Sequence, residues 1–145
     1  MTRLNITIAG SSGRMGRTLL EAVAQAPEMR LAAALERSGS AYLGKDAGEL
    51  IGVSCGVAVT DDFAAALPGS DVLIDFTRPE GTLAHLAVCR ATGVKMVIGT
   101  TGFSAEQKEE LKAAAKDIAI VFAPNMSVGV NVTFKLLQIA ARVLN

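Results

Sequence analysis

Short runs rich in β-branched residues alternate along the chain with longer stretches in which apolar residues recur at helical spacing. The first pattern is typical of buried strands and the second of helices that pack on a core. The pattern predicts strands over 4–9, 30–35, 57–59, 71–74, 95–98 and 118–122. It predicts helices over 14–26, 79–92 and 104–116, shorter helical pieces over 46–51 and 60–67, and a final helix from 127 to the end.

Regular alternation of strand and helix favours one architecture. Right-handed crossovers between successive strands give a parallel sheet with helices on both faces. The strands contain few polar residues, which fits a sheet buried on both sides. We therefore predict a Rossmann-like, doubly wound α/β fold, with one domain over 1–126 and the start of an outgoing helix over 127–145.

Residues that can bond free backbone groups mark the predicted helix ends. The segment 77–80 (TRPE) fits a capping box, in which the Thr hydroxyl accepts from the helix and Glu80 reaches back. Ser104 and Gln107 fit a second box, and Gly93 is suited to end the helix that begins near 79. The short helix over 60–67 is expected to be capped by Thr60 and Asp61.

Composition excludes several classes of function. The 145 residues suffice for one compact domain, and half of them are apolar. Basic and acidic residues balance at 14 each, so neither nucleic acid nor an anionic membrane is expected as a partner. No apolar run approaches the roughly 18 residues that span a bilayer. Cys55 and Cys89 belong to no metal-like cluster, so no metal is expected, and isolated thiols suit the cytoplasm.

The turn after the first strand carries the strongest chemical signal. Gly10, Gly13 and Gly16 are spaced as G-x-x-G-x-x-G, a variant of the dinucleotide-binding fingerprint. Glycines allow the backbone to approach a pyrophosphate, and the N-terminus of the next helix offers unpaired N–H groups to that anion. Glu36 ends the second strand, 20 residues after Gly16, where a carboxylate can accept from the adenine ribose. Together these features predict a dinucleotide-binding domain over 1–126.

Arg37 bears on the choice between NADH and NADPH. The carboxylate of Glu36 alone would repel a 2′-phosphate, whereas an adjacent guanidinium could pair with it. We hypothesise that both dinucleotides are used. The alternative is that Arg37 is a solvated surface arginine.

Three further loops, 75–78, 99–102 and 123–126, follow strands and should share the sheet edge where ligands bind. Their residues also have simpler explanations. Thr77 could serve only as a helix cap, Gly99 and Gly102 could be turn glycines, and Asp75 could bond nearby backbone. His85, the only histidine, is interpreted as a surface or half-buried helix residue without a catalytic role.

Five segments, read in order, resemble bacterial dihydrodipicolinate reductase. They are 8–17 (IAGSSGRMGR), 34–37 (ALER), 74–82 (IDFTRPEGT), 97–103 (VIGTTGF) and 123–131 (APNMSVGVN). The resemblance spans nearly the whole chain and implies the nucleotide-binding domain of a cytoplasmic oxidoreductase. That enzyme uses NADH or NADPH to reduce dihydrodipicolinate, formed from 4-hydroxy-tetrahydrodipicolinate, to tetrahydrodipicolinate in the diaminopimelate route to lysine.

The resemblance also implies a set of cofactor contacts. Glu36 is expected at the adenine ribose and Arg37 at the 2′-phosphate. The residues expected around the pyrophosphate are Gly10, Ser11, Ser12, Gly13, Arg14 and Met15. The residues expected on the nicotinamide side are Gly99, Thr100, Thr101, Ala123, Pro124, Asn125 and Met126.

One part of the family pattern is missing. The family's substrate domain carries a His-His-x-x-Lys run and a Ser-Gly-Thr stretch, builds most of its homotetramer, and would follow Asn145. The resemblance therefore implies that the catalytic residues for the small-molecule substrate lie beyond Asn145. We expect residues 1–145 to bind NAD(P)H and to turn over essentially no substrate alone.

Two other classes share the early glycines and Glu36. A stand-alone sensor of NADH without catalysis would not need the loops around Gly99 and Asn125. The cofactor domain of another dehydrogenase, such as homoserine or aspartate-semialdehyde dehydrogenase, is disfavoured by the segment 75–82 and by the lack of a cysteine in a suitable loop.

Overall fold

The computed structural model describes residues 2–144, and its six strands form one sheet. The strands are β1 (Leu4–Ala9), β2 (Met29–Leu35), β3 (Val59–Thr60), β4 (Val72–Asp75), β5 (Lys95–Ile98) and β6 (Ile120–Phe122). Their order across the sheet is β3-β2-β1-β4-β5-β6, and each neighbouring pair is parallel. The predicted Rossmann-like α/β fold is confirmed.

The helices follow the strands as the alternation predicts. They are α1 (Arg14–Gln25), α2 (Phe63–Ala66), α3 (Pro79–Thr92), α4 (Ala105–Ala114) and α5 (Val128–Leu144), with a 3-10 helix over Ala47–Ile51. Ser104 and Gln107 form the predicted capping box of α4, and Gly93 ends α3 in the left-handed conformation with φ 77°. Among residues 2–144, no helix combines the length and apolarity needed to cross a membrane.

The core lies on both faces of the sheet, because successive strand residues point to opposite sides. On one face Ile6 and Ile8 of β1 pack in a cluster with Leu20 and Val23 of α1. The other face buries Leu73, Met96, Ile98, Leu86 and Leu111, which come from β4, β5, α3 and α4. Each fully buried side chain of this size contributes about 1.5–3 kcal/mol. The two clusters hold β1 and β4 rigidly at the centre of the sheet.

Two predicted features near β3 are wrong. β3 begins at Val59 rather than 57, because the preceding residues pair with the start of the 3-10 helix: the Ala47 N–H donates to the Val57 carbonyl at 2.8 Å. The cap of α2 is Asp62, whose Oδ1 accepts from the Ala65 N–H at 3.0 Å, and not Thr60 or Asp61.

Two boundaries near the last strand also differ from the prediction. α4 ends at Ala114 rather than 116, and β6 begins at Ile120 rather than 118. The Ile118 N–H turns back to the Ala114 carbonyl at 3.1 Å, so Ile118 belongs to the end of the helix and not to the strand.

α5 differs from the other helices in its surroundings. All of its residues are exposed, including Phe134 (57%) and Leu137 (61%). Its apolar side chains therefore remain uncovered by the rest of the described chain.

Candidate functional site

The strand order reverses between β1 and β4, with β2 on the far side of β1 and β5 on the far side of β4. Loops after these central strands diverge and leave a crevice, which is where open parallel sheets bind ligands. A cleft of about 650 Å³ lies there, formed by the loops after β1 to β4 and by α3. This volume is within the usual range of small-molecule sites, about 300–1,000 Å³. The predicted residues that line the cleft are Gly10, Ser12, Gly13, Glu36 and Arg37.

The loop after β1 needs its glycines. Gly10 has φ +69°, and a Cβ there would lie 3.1 Å from Thr77 Cγ2. A Cβ at Gly16 would lie 2.1 Å from the Gly10 carbonyl oxygen, far inside van der Waals contact. Ser11 is fully buried and its Oγ has no hydrogen-bond partner among the described residues. The loop is therefore tightly folded, and α1 begins close against β1.

The N-terminus of α1 adjoins the cleft, since its N-cap residue, Gly13, lines the cleft. Gly13 is the N-cap, so no side chain caps the helix, and the first turn contains no acidic residue. The Arg17 N–H donates to the Gly13 carbonyl at 3.0 Å. The N–H groups of Arg14, Met15 and Gly16 therefore precede the first helical hydrogen bond of α1. An anion is the partner that such a group of donors favours.

Glu36 joins the end of β2 to the glycine loop. Its Oε1 accepts from both the backbone N–H (2.8 Å) and the hydroxyl (2.6 Å) of Ser12. Its Oε2 lies 3.4 Å from the Arg37 N–H. The carboxylate is thus held beside the loop with one oxygen weakly bonded, as an acceptor for ligand hydroxyls requires.

Arg37 and the next residue extend the cleft beyond Glu36. Arg37 is exposed and makes no ion pair with any residue of 2–144. The Ser38 hydroxyl lies 2.7 Å from Asp61 Oδ2, and both residues line the cleft. Asp61 was predicted only as a helix cap and not as a site residue.

A buried carboxylate organises the loop after β4. Asp75 is fully buried, and its Oδ1 accepts from the Thr77 N–H at 2.9 Å and the Thr77 hydroxyl at 2.6 Å. The predicted capping box at 77–80 is therefore wrong. Arg78, and not Thr77, is the N-cap of α3, and its side chain makes no cap bond, while the Thr77 hydroxyl donates to Asp75. The expectation that Asp75 bonds nearby backbone is confirmed.

His85 completes this network from the second turn of α3. Its Nδ1 lies 2.8 Å from Asp75 Oδ2, its side chain is 12% exposed, and its ring packs edge-on against Phe63 at 4.9 Å. Burial raises the pKa of Asp75, but hydrogen bonds from His85 and Thr77 outweigh it and hold the pKa below its ordinary value. His85 also lines the cleft. The half-buried position is confirmed, but no sequence signal indicated the contact of His85 with Asp75.

The loops after β5 and β6 lie at the same sheet edge but outside this cleft. Gly99 is not a turn glycine: a Cβ there would lie 2.0 Å from the Phe76 ring, so close packing requires it. Thr100 is 2% exposed, and its Oγ1 accepts from the Thr77 N–H at 3.0 Å and from the Thr82 hydroxyl at 2.9 Å. The Ala123 N–H donates to the Ile98 carbonyl at 3.2 Å, which sets the 123–126 loop beside the 99–101 loop.

Comparison with known proteins points to one family. The family model described as "Dihydrodipicolinate reductase, N-terminus" matches residues 4–126. A 4-hydroxy-tetrahydrodipicolinate reductase of Nitrosospira multiformis is 71% identical over 145 residues, which are all of this chain and 54% of that protein. One from Chromobacterium violaceum is 62% identical over 141 residues, 97% of this chain and 53% of that protein.

A solved structure agrees with these sequence matches. The dipicolinate-bound dihydrodipicolinate reductase of Paenisporosarcina sp. TG-14 superposes with a TM-score of 0.76 at 26% identity. The match covers 97% of this chain and 54% of that one. The chain thus spans about half the length of the curated relatives it matches.

Proposed function

The chain belongs to the dihydrodipicolinate reductase family, and from that premise we propose that it forms the NADH- or NADPH-binding part of a 4-hydroxy-tetrahydrodipicolinate reductase. The whole enzyme would reduce dihydrodipicolinate to tetrahydrodipicolinate on the way to diaminopimelate and lysine. The main observation in support is the uncapped N-terminus of α1. It directly follows the glycine loop after β1, next to the point where the strand order reverses.

The residues present fit a dinucleotide. A Cβ at Gly16 would lie 2.1 Å from the Gly10 carbonyl oxygen, so only glycine keeps this backbone arrangement at that position, whereas a Cβ at Gly13 would lie 3.2 Å from the same oxygen. The free N–H groups at the start of α1 suit a diphosphate. We assign the diphosphate to Gly10, Ser11, Ser12, Gly13, Arg14 and Met15.

The residues after β2 suit the adenosine end. Glu36 would accept from the ribose hydroxyls while its bond to Ser12 holds it in place. Arg37, which is free of ion pairs within 2–144, would pair with a 2′-phosphate when NADPH is bound.

We assign the nicotinamide side to the loops after β5 and β6. When bound, the dinucleotide supplies a hydride. The contribution of this chain is to hold and orient the dinucleotide. The Thr100 side chain is committed to Thr77 and Thr82, so this loop would contact a ligand mainly through its backbone. The residues of the assignment are Gly99, Thr100, Thr101, Ala123, Pro124, Asn125 and Met126.

We further propose that 1–126 form the nucleotide-binding domain and that α5 leads to a substrate domain. Support comes from α5 itself, an apolar helix whose residues are all exposed here. Large exposed apolar surfaces mark places where another part of a protein packs. The proton donors and carboxylate-binding groups of the reaction would lie in that second domain. Cytoplasmic location is part of the same proposal, supported by the free thiols of Cys55 and Cys89.

Titration of the 145-residue chain with NADH and NADPH tests the binding proposal. We expect saturable heat in calorimetry for both, and essentially no oxidation of NADH when dihydrodipicolinate is generated in the cuvette. A chain that binds neither dinucleotide would overturn the proposal. Measurable reductase activity of residues 1–145 alone would overturn the assignment of catalysis to a second domain.

A further inference from the structure

Pairing of β2 with β3 brings a second carboxylate to the adenosine end of the cleft. Leu35 pairs with Thr60 in parallel register, and the Glu36 N–H donates to the Thr60 carbonyl at 2.9 Å. Asp61 is the first residue beyond β3, so it lies at the same sheet edge as Glu36. The two acids therefore come from adjacent strands at one end of the site.

The carboxylate of Asp61 is held in position. Its Oδ2 accepts from the Ser38 hydroxyl at 2.7 Å. Asp61 and Ser38 line the same cleft as Glu36 and Arg37. The guanidinium of Arg37 makes no ion pair with either acid or with any other residue of 2–144. Two negative charges and one positive charge thus share this end of the cleft.

We propose that Asp61 makes the site favour NADH over NADPH. The inference rests on the proposed dinucleotide site and adds its preference. A 2′-phosphate carries about two negative charges at neutral pH and is attached to the ribose that Glu36 would bind. Arg37 attracts that phosphate, but the fixed carboxylate of Asp61, next to Ser38, repels it. NADH has no 2′-phosphate, so this repulsion does not act on it.

Asp61→Asn isolates this charge, because the amide oxygen can still accept from Ser38. Dissociation constants for NADH and NADPH are measured by titrating the fluorescence of the reduced nicotinamide. We expect NADPH to bind the variant about tenfold more tightly, because removal of one repulsion between like charges near a protein surface changes the affinity by about that factor. The affinity for NADH should change less than about twofold, which also shows that the variant is folded.

Asp62→Asn is the matched control. It removes the same charge one position along the chain, at a residue that caps α2 and does not line the cleft, and Asn caps helices as well as Asp does. The control should leave the ratio of the two affinities within about twofold of the unmodified protein. An equal change of the ratio in both variants would mean a general field effect and would overturn the role of Asp61.

The outcomes separate the inference from the proposed function. If the unmodified protein binds neither dinucleotide, the proposed function fails. If it binds both and Asp61→Asn leaves their affinity ratio unchanged, only the inference about Asp61 fails. Asp61→Ser, which is smaller and also uncharged, repeats the test should Asp61→Asn not fold, and it must shift the ratio in the same direction.

Discussion

A carboxylate placed at the N-cap of α1 should prevent dinucleotide binding without damaging the fold. Gly13 has φ −70° and ψ 170°, an extended conformation that any residue can adopt. A Cβ there would lie 3.2 Å from the Gly10 carbonyl oxygen, which requires a shift of only a few tenths of an ångström. Asp and Asn are both favourable N-caps. Gly13→Asp and Gly13→Asn therefore differ by one charge at the proposed diphosphate site.

The size of the effect follows from charge and distance. A side chain at the N-cap would lie about 4–6 Å from an anion bound by the first turn, where unit charges at an effective dielectric of about 20–30 repel by about 2–4 kcal/mol. The lower figure corresponds to about a thirtyfold weaker affinity. Gly13→Asp should thus bind NADH at least about thirtyfold more weakly than Gly13→Asn. Both variants should melt within about 3 °C of the unmodified protein, because N-cap gain and local crowding nearly offset each other.

Calorimetric titration of the three proteins with NADH measures the effect, and thermal melts confirm folding. Gly13→Asn also places a side chain near the anion and is expected to lose some affinity, so the comparison between the two variants is decisive. Equal binding of NADH by Gly13→Asp and Gly13→Asn would refute an anion site at the start of α1.

Three further results are expected. Arg37→Ala should weaken NADPH binding about tenfold or more while sparing NADH. Equal loss of both in parallel titrations would contradict a specific role at the 2′-phosphate, and no loss of either would return Arg37 to a solvated surface role. Asp75→Asn should cost about 1–3 kcal/mol of unfolding free energy at neutral pH. The pKa of Asp75 is lowered in the folded state, so the ionised carboxylate stabilises the fold fully at a pH above the unfolded-state pKa of about 3.9. This stabilisation is lost as the pH falls through the folded-state pKa. Thermal melts of both proteins should therefore converge below about pH 4, and a pH-independent gap would contradict this. Burial, with a smaller effect of nearby Asp75, raises the pKa of Cys89 to about 12. Iodoacetamide should therefore modify Cys89 only after the protein unfolds. Rapid labelling of Cys89 in the folded protein, detected by peptide mass spectrometry, would count against this.

Local signals predicted the features that depend on neighbouring residues. The glycine loop, the capping box at Ser104 and the left-handed Gly93 need only a few adjacent residues to form. The sheet follows from the same alternation, because parallel strands joined by helices have few topologies available. Glu36 was singled out because the fingerprint places an acid at a known spacing from the glycines, and Arg37 because it is the basic residue directly after Glu36.

Contacts that form only once the elements are packed together account for what was missed. Thr77 was predicted to cap α3, but its hydroxyl bonds the buried Asp75, and no local pattern shows which acceptor it takes. His85 meets Asp75 only after α3 packs beside β4. Asp61 reaches the cleft because β3 pairs with β2, and the local pattern that predicts a strand over 57–59 does not show which strand it pairs with.

The central claim is that backbone N–H groups at the start of α1 hold the diphosphate of a nicotinamide dinucleotide. Amide NMR spectra of the ¹⁵N-labelled protein, recorded while NADH is added, test it most directly. The account predicts that the amide resonances of Gly13, Arg14, Met15 and Gly16 shift most, and that they saturate together with the calorimetric heat. Saturable binding that leaves these four resonances in place would contradict it.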